Sequence, residues 1–163
     1  MAQSAIKVGD TIPHATLMVA TANGPEKADA AELMGAGKVA FFAVPGAFTP
    51  TCSAKHLPGF VSHADDLKAK GVDKIVCLSV NDAFVMQAWG ESQNAGDAVT
   101  MAADGNGELA KAMGLEMDAT GFGMGTRSQR FSGVAENGVV THLFVEAPGA
   151  FEVSSAEHML TEI

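Results

Sequence analysis

Six consecutive apolar residues, Val39-Ala-Phe-Phe-Ala-Val44, run straight into Pro45-Gly-Ala-Phe-Thr-Pro-Thr-Cys52. An unbroken run of that length is the mark of a strand buried on both faces. Thr49 is a good N-cap residue, and Pro50 then falls at the first helical position, where its missing N–H costs nothing. A buried strand followed at once by a helix start confines the chain to α/β architectures. The same frame places Cys52 in the first helical turn, where amides are unpaired and the dipole stabilises an anion. A thiol so placed has a lowered pKa and serves as a thiolate nucleophile.

The remaining pattern agrees. Ala15 to Thr21 reads as a short strand and Ala22-Asn-Gly-Pro25 as a turn. Leu57-Pro58-Gly59 is expected to kink or interrupt the helix after Cys52, and Phe60, Val61, Ala64 and Leu67 then resume a helical stripe that Gly71 ends. Lys74 to Val80 is a second buried strand. Asp82 caps a helix carrying Phe84, Val85, Ala88 and Trp89. Val99 to Ala102 reads as a strand and Glu108 to Met113 as a short helix. Arg127 to Ala135 and Val139 to Glu146 read as strands joined by Asn137-Gly138, a strong hairpin signal. Ser154-Ser-Ala-Glu157 has the form of a capping box opening a terminal helix. Strand–helix–strand units followed by a hairpin predict a mixed β-sheet flanked by helices.

A chain of 163 residues suits one domain, residues 1–163. With 47% hydrophobic and 18% charged residues it is globular in composition. Its net charge of −9 and the lack of a Lys/Arg cluster exclude nucleic acid as an expected partner. No run is long enough for a membrane span, and the first ten residues lack the apolar core of a signal peptide. Two cysteines make neither a disulfide framework nor a four-ligand zinc site, and unpaired thiols favour a reducing compartment. The expected location is the cytoplasm.

Chemistry concentrates around Cys52. The Thr49 hydroxyl lies over the same turn and can cap the Cys52 N–H or bond the thiolate or a bound oxygen substrate. Pro45 would cover the sulfur and limit water. The amides of Thr51 and Cys52 point to the helix entrance and could hold an oxygen. Cys77, within an apolar strand, reads as an inert core residue. His56 reads as a packing or surface histidine; a metal site lacks further ligand spacing, and a hydrolase would need an orienting partner. Asp65 and Asp66 belong to a solvated helix face, and Arg130 reads as a solvated arginine. Gly121, Gly123 and Gly125 form a flexible approach loop and not a phosphate cradle, because no helix follows.

The pattern P-x-x-x-T-x-x-C over Pro45 to Cys52 resembles the active-site loop of peroxiredoxins. The longer string Val44 to Phe60 is similar to the type II, peroxiredoxin-five-like group, as are Leu78-Ser-Val-Asn-Asp-Ala-Phe84 and the segment around Arg127. The resemblance implies a thioredoxin-like fold and a thiol-dependent peroxidase acting on hydrogen peroxide and alkyl hydroperoxides, with no metal, flavin, haem or other cofactor. It implies that Cys52 attacks the peroxide, that Thr49 and Arg127 orient it, and that the protein is a homodimer. In the resembled family an arginine at the head of a strand contacts the thiolate, and Arg127 matches it. Relatives with a resolving cysteine carry it near the C-terminus, where this chain has Ser154 and Ser155. A one-cysteine cycle follows, recycled by glutathione or glutaredoxin, with thioredoxin as a further reductant.

Two other readings share Cys52. A peroxide sensor or redox relay would use the same thiolate without turnover, and catalytic assays with excess reductant separate it from an enzyme. A disulfide oxidoreductase of the thioredoxin type would be expected to carry C-x-x-C, which this chain lacks.

Overall fold

The computed structural model describes residues 5–51 and 55–163. Seven strands form one sheet, in the order Gly24–Asp29 (β2), Thr16–Thr21 (β1), Thr100–Ala103 (β5), Lys74–Ser79 (β4), Lys38–Val44 (β3), Phe131–Glu136 (β8) and Val139–Val145 (β9). The parallel centre consists of β3 (Lys38–Val44), β4 (Lys74–Ser79) and β5 (Thr100–Ala103). Antiparallel strands flank it: β1 (Thr16–Thr21) and β2 (Gly24–Asp29) on one side, β8 (Phe131–Glu136) and β9 (Val139–Val145) on the other. A second, two-stranded sheet pairs β6 (Glu116–Asp118) with β7 (Thr126–Ser128).

The apolar run works as expected of a strand buried on both faces. Ala40, Phe42 and Val44 enter one core with Leu57, Phe60, Leu67, Trp89 and Met159. Val39, Phe41 and Ala43 enter the opposite core with Leu17, Leu109, Met113 and Phe131. Helices α2 (Leu57–Ser62), α3 (Ala64–Ala69), α4 (Ala83–Ser92) and α6 (Ala156–Glu162) cover the first face. The short helices α1 (Ala30–Leu33) and α5 (Glu108–Ala112) cover the second. Asn137 and Gly138 turn the β8–β9 hairpin with φ of 51° and 85°, both positive, as a type I′ turn requires.

Several local expectations need correction. At Leu57-Pro58-Gly59 the helical geometry does change, since Lys55 and His56 are π-helical and α2 starts at Leu57 with Pro58 in its first turn; a second break, not expected, falls at His63. The segment 127–135 is two strands. β7 pairs with β6, and β8 pairs with β3, so the chain changes sheets at Gln129 and Arg130. The N-cap of α6 is Ser155, whose side chain accepts from His158 N–H, one residue later than the capping box predicts. Phe84 is 74% exposed; Ala83, Met86, Trp89 and Gly90 form the buried face of α4. The strand β2 and helix α1 were not foreseen. Asp82 does cap α4, accepting from Val85 N–H at 2.8 Å.

Candidate active site

Cys52 lies outside the described residues, so the site is defined by what surrounds its loop. Pro50 and Thr51 are helical, as the N-cap reading of Thr49 requires. The loop between β3 and this helix is pinned from β4: Asn81 Oδ1 accepts from Ala47 N–H at 3.0 Å and from the Ser79 hydroxyl. Phe48 holds a positive φ of 64° and is half-exposed. Neither Ser79 nor Asn81 was singled out for this role, although both lie in a stretch with type II resemblance.

Thr49, Pro45 and Arg127 converge on Gly46. The Thr49 hydroxyl donates to Gly46 C=O at 2.6 Å. Its only proton is thus committed, and only lone pairs are left to offer a further partner. Arg127 Nε donates to Met124 C=O at 2.9 Å, and Nη1 reaches Pro45 C=O at 3.4 Å. A Cβ on Gly46 would stand 3.2 Å from Arg127 Nη1, 3.2 Å from Thr49 Cγ2 and 3.0 Å from Met124 Cε. Glycine is what lets these three side chains close in.

Arg130 is not the solvated arginine of the sequence reading. It is half-buried at the head of β8, one step past the Phe131–Ala43 register pair, and so beside the end of β3. Nη1 donates to His56 Nδ1 at 2.8 Å, and the guanidinium stands over the Phe151 ring at 5.7 Å. Arg130 thus stands at the head of a strand of the main sheet. Arg127 lies in the small sheet and reaches the same loop from the Pro45 side. The split of the strand hid this, because no Gly or Pro marks it.

His56 is fully buried in an aromatic box of Phe42, Phe60 and Phe151, with ring centroids 4.9, 5.7 and 5.1 Å away. Its Nε2 lies 2.9 Å from Ser154 C=O. A carbonyl only accepts and a guanidinium only donates, so Nε2 carries the proton and Nδ1 is bare. Burial first, and then the Arg130 charge, push the imidazole pKa down to about 3. Ser154, at the place of the expected resolving cysteine, is fully buried and donates its hydroxyl to Glu146. Cys77 is fully buried in β4, in register with Phe42 of β3 and Met101 of β5. Asp65 and Asp66 are exposed. Among the described residues, no group of three or more His, Cys, Asp or Glu side chains is placed to hold a metal, and no helix is long and apolar enough to cross a membrane.

A mixed sheet with a parallel centre, helices on both faces and a helix start beyond the end of its central strand defines a thioredoxin-like fold. The redoxin family profile matches residues 7–160. Reduced Prx3 from Vibrio vulnificus in complex with hydrogen peroxide superposes with a TM-score of 0.92 at 57% identity, covering 96% of this chain and 98% of that one. The chloroplastic peroxiredoxin-2E-2 of Oryza sativa subsp. japonica is 55% identical over 95% of this chain and 71% of its own length. Peroxiredoxin-2B of Arabidopsis thaliana is 47% identical over 95% of this chain and 96% of its own length. The chain belongs to the redoxin family, as a peroxiredoxin of the type II group, and its activity is that of a thiol-dependent peroxidase. The expectation of a cytoplasmic protein is overturned by these relatives, since the rice protein and peroxiredoxin-2E of Arabidopsis thaliana, 48% identical, are both chloroplastic. The absence of a signal-peptide pattern, on which that expectation leaned, does not distinguish the two compartments.

Proposed function

We propose that Cys52 is the peroxidatic nucleophile for hydrogen peroxide and alkyl hydroperoxides in a one-cysteine cycle needing no cofactor. The thiolate attacks one peroxide oxygen, the S–O bond forms as O–O breaks, and the departing oxygen takes a proton to leave as water or alcohol. Thr49 offers a lone pair to the peroxide O–H, since its own proton is held by Gly46 C=O. Arg127 and Arg130 supply cationic donors for the thiolate and the developing oxyanion. The Thr51 and Cys52 amides hold the same oxygen, and Pro45 limits water. The bound hydrogen peroxide named for the Vibrio vulnificus relative supports the substrate class.

For recycling, an external thiol attacks the Cys52 sulfenic acid, water leaves, and a mixed disulfide forms. A second thiol then releases the reduced enzyme. Glutathione with glutaredoxin is the proposed reductant, in a homodimeric enzyme. The observation that carries this is the buried pairing of Ser154 with Glu146 in the segment where a resolving cysteine would act. The test is steady-state turnover with glutathione, glutaredoxin and thioredoxin systems side by side. Turnover with thioredoxin alone would overturn the proposed reductant.

A further inference from the structure

Glu146 follows β9 and stands opposite Arg130 in the ladder, its N–H donating to Arg130 C=O at 3.0 Å. The residue is buried, 6% exposed. One oxygen, Oε2, accepts from Glu152 N–H at 2.8 Å, Val153 N–H at 2.9 Å, Ser154 N–H at 2.8 Å and the Ser154 hydroxyl at 2.6 Å. Four donors on one oxygen fold residues 147–153 into a closed loop. Burial alone would raise the carboxyl pKa, yet these bonds to the charged form bring it below its usual value.

The loop has an outward effect. It presents Ser154 C=O to His56 Nε2 and lays Phe151 against both the His56 ring and the Arg130 guanidinium. With Nε2 bound to that carbonyl, Nδ1 has to be the bare nitrogen, and Nδ1 is what Arg130 binds. We propose that Glu146 is a positioning residue of the peroxide site: by gathering the backbone of residues 152–154 it fixes the His56 tautomer, and the His56 ring in turn aims Arg130. This rests on reading Arg130 as a cation of that site. Removing Glu146 takes the acceptor from three N–H groups, that of Ser154 buried and those of Glu152 and Val153 part-buried, so the loop opens and the Ser154 carbonyl moves. His56 then loses its anchor, and Arg130 swings away from its working direction.

The experiment uses the full chain. Long-range ¹H–¹⁵N spectra of the histidine rings read the His56 tautomer, and rapid-mixing kinetics read Cys52 oxidation by hydrogen peroxide. In the unmodified protein His56 is expected to be protonated on Nε2 and bare on Nδ1 from pH 5 to 8. Glu146→Ala is expected to lose this single-tautomer signature and to slow oxidation roughly ten- to hundredfold, as small misplacements of a reacting group do. Glu146→Gln keeps an oxygen for the same donors and is expected to restore the tautomer and most of the rate.

A proton on Nδ1 in the unmodified protein would overturn the proposal whether or not any variant folds. So would Glu146→Ala with unchanged rate and ring spectrum, or Glu146→Gln that keeps the tautomer yet is as slow as Glu146→Ala. Arg130→Ala separates the two layers. If it oxidises at the normal rate, the reading of Arg130 fails and takes this proposal with it. If it is slow while Glu146→Ala is not, the proposal fails alone.

Discussion

Arg127 and Arg130 are three residues apart in the chain and belong to different sheets. Arg127 sits in β7 and reaches Pro45 C=O at 3.4 Å; Arg130 heads β8 and donates to His56 at 2.8 Å. The two guanidinium groups therefore approach the Cys52 loop from independent supports. Their contributions can be separated by substitution.

Arg127→Ala and Arg130→Ala should each slow Cys52 oxidation, by about 10²–10³ where the lost donor bonds the developing oxyanion. Lysine at either position should recover part of the rate, since it keeps the charge and loses the planar two-point contact. Rapid-mixing oxidation with hydrogen peroxide measures both. An arginine whose alanine variant oxidises normally has no part in the peroxide step.

Cys52→Ser should abolish coupled peroxidase turnover while thermal unfolding stays close to that of the unmodified protein. Serine is nearly isosteric and is no nucleophile toward peroxide at neutral pH. Substantial residual turnover would mean that another group attacks.

Recycling should not involve Cys77. It is fully buried in a strand paired on both sides, and Phe42 and Met101 are its register neighbours. Bringing its sulfur out of that packing to form a disulfide would require opening the sheet. After one equivalent of peroxide, intact mass should show no two-dalton loss, and excess peroxide without thiol should drive Cys52 to sulfinic acid. A two-dalton loss that disappears in Cys77→Ser would refute this.

His56 makes stability depend on pH with a definite sign. Its folded-state pKa is about 3, against an ordinary value of 6.5. Between these values the unfolded chain binds a proton that the folded one does not, so stability falls as pH drops from about 6.5 toward about 3. Thermal unfolding followed from pH 7 to pH 4.5 should show a shallower decline in His56→Gln. Parallel curves would argue against a buried neutral imidazole.

His63 should behave oppositely. Its ring joins Asp66 Oδ2 at 3.0 Å and Glu157 Oε1 at 3.2 Å, linking the α2–α3 junction to α6. The Asp66 hydrogen bond leads in raising its pKa. The stabilisation is therefore complete below about 6.5 and is lost as pH rises through the raised value. Both carboxylates are largely exposed and His63 is partly so, and water therefore screens the pairing; His63→Gln should cost less than about 1 kcal/mol at pH 6, and less again at pH 9 or in high salt. An equal cost at pH 6 and pH 9 would remove the ionic contribution.

What the sequence made legible follows from burial. The strands β3 and β4 are deeply buried and read directly as apolar runs, and Asn137-Gly138 announced its hairpin. Edge strand β2, Gly24-Pro-Glu-Lys-Ala-Asp29, carries polar residues and a proline that only an edge tolerates, so its first two residues read as part of a turn and the rest showed no strand pattern. The helix cap fell on Ser155 because Glu146 claims Ser154, a contact spanning eight residues that local pattern cannot reveal. Arg130 was missed as a site residue for a similar reason. Its environment is made by His56 and Phe151, both distant in the chain, and nothing in Ser128-Gln-Arg130 marks the passage from one sheet to another.

Strand direction has a consequence for how such a site can vary. Because β8 runs antiparallel to β3, its start lies beside the end of β3, with Phe131 opposite Ala43, whatever route the chain takes between them. Residues 104–130, with a short helix, a small hairpin sheet and a glycine-rich turn, form a detour whose length does not set where Arg130 arrives. Insertions or deletions there, tolerated as surface connections generally are, would reshape the rim that a peroxide or a reducing thiol first meets. They would leave the meeting of Arg130 with the end of β3 in place, so substrate access could diverge among relatives without disturbing the arginine's address.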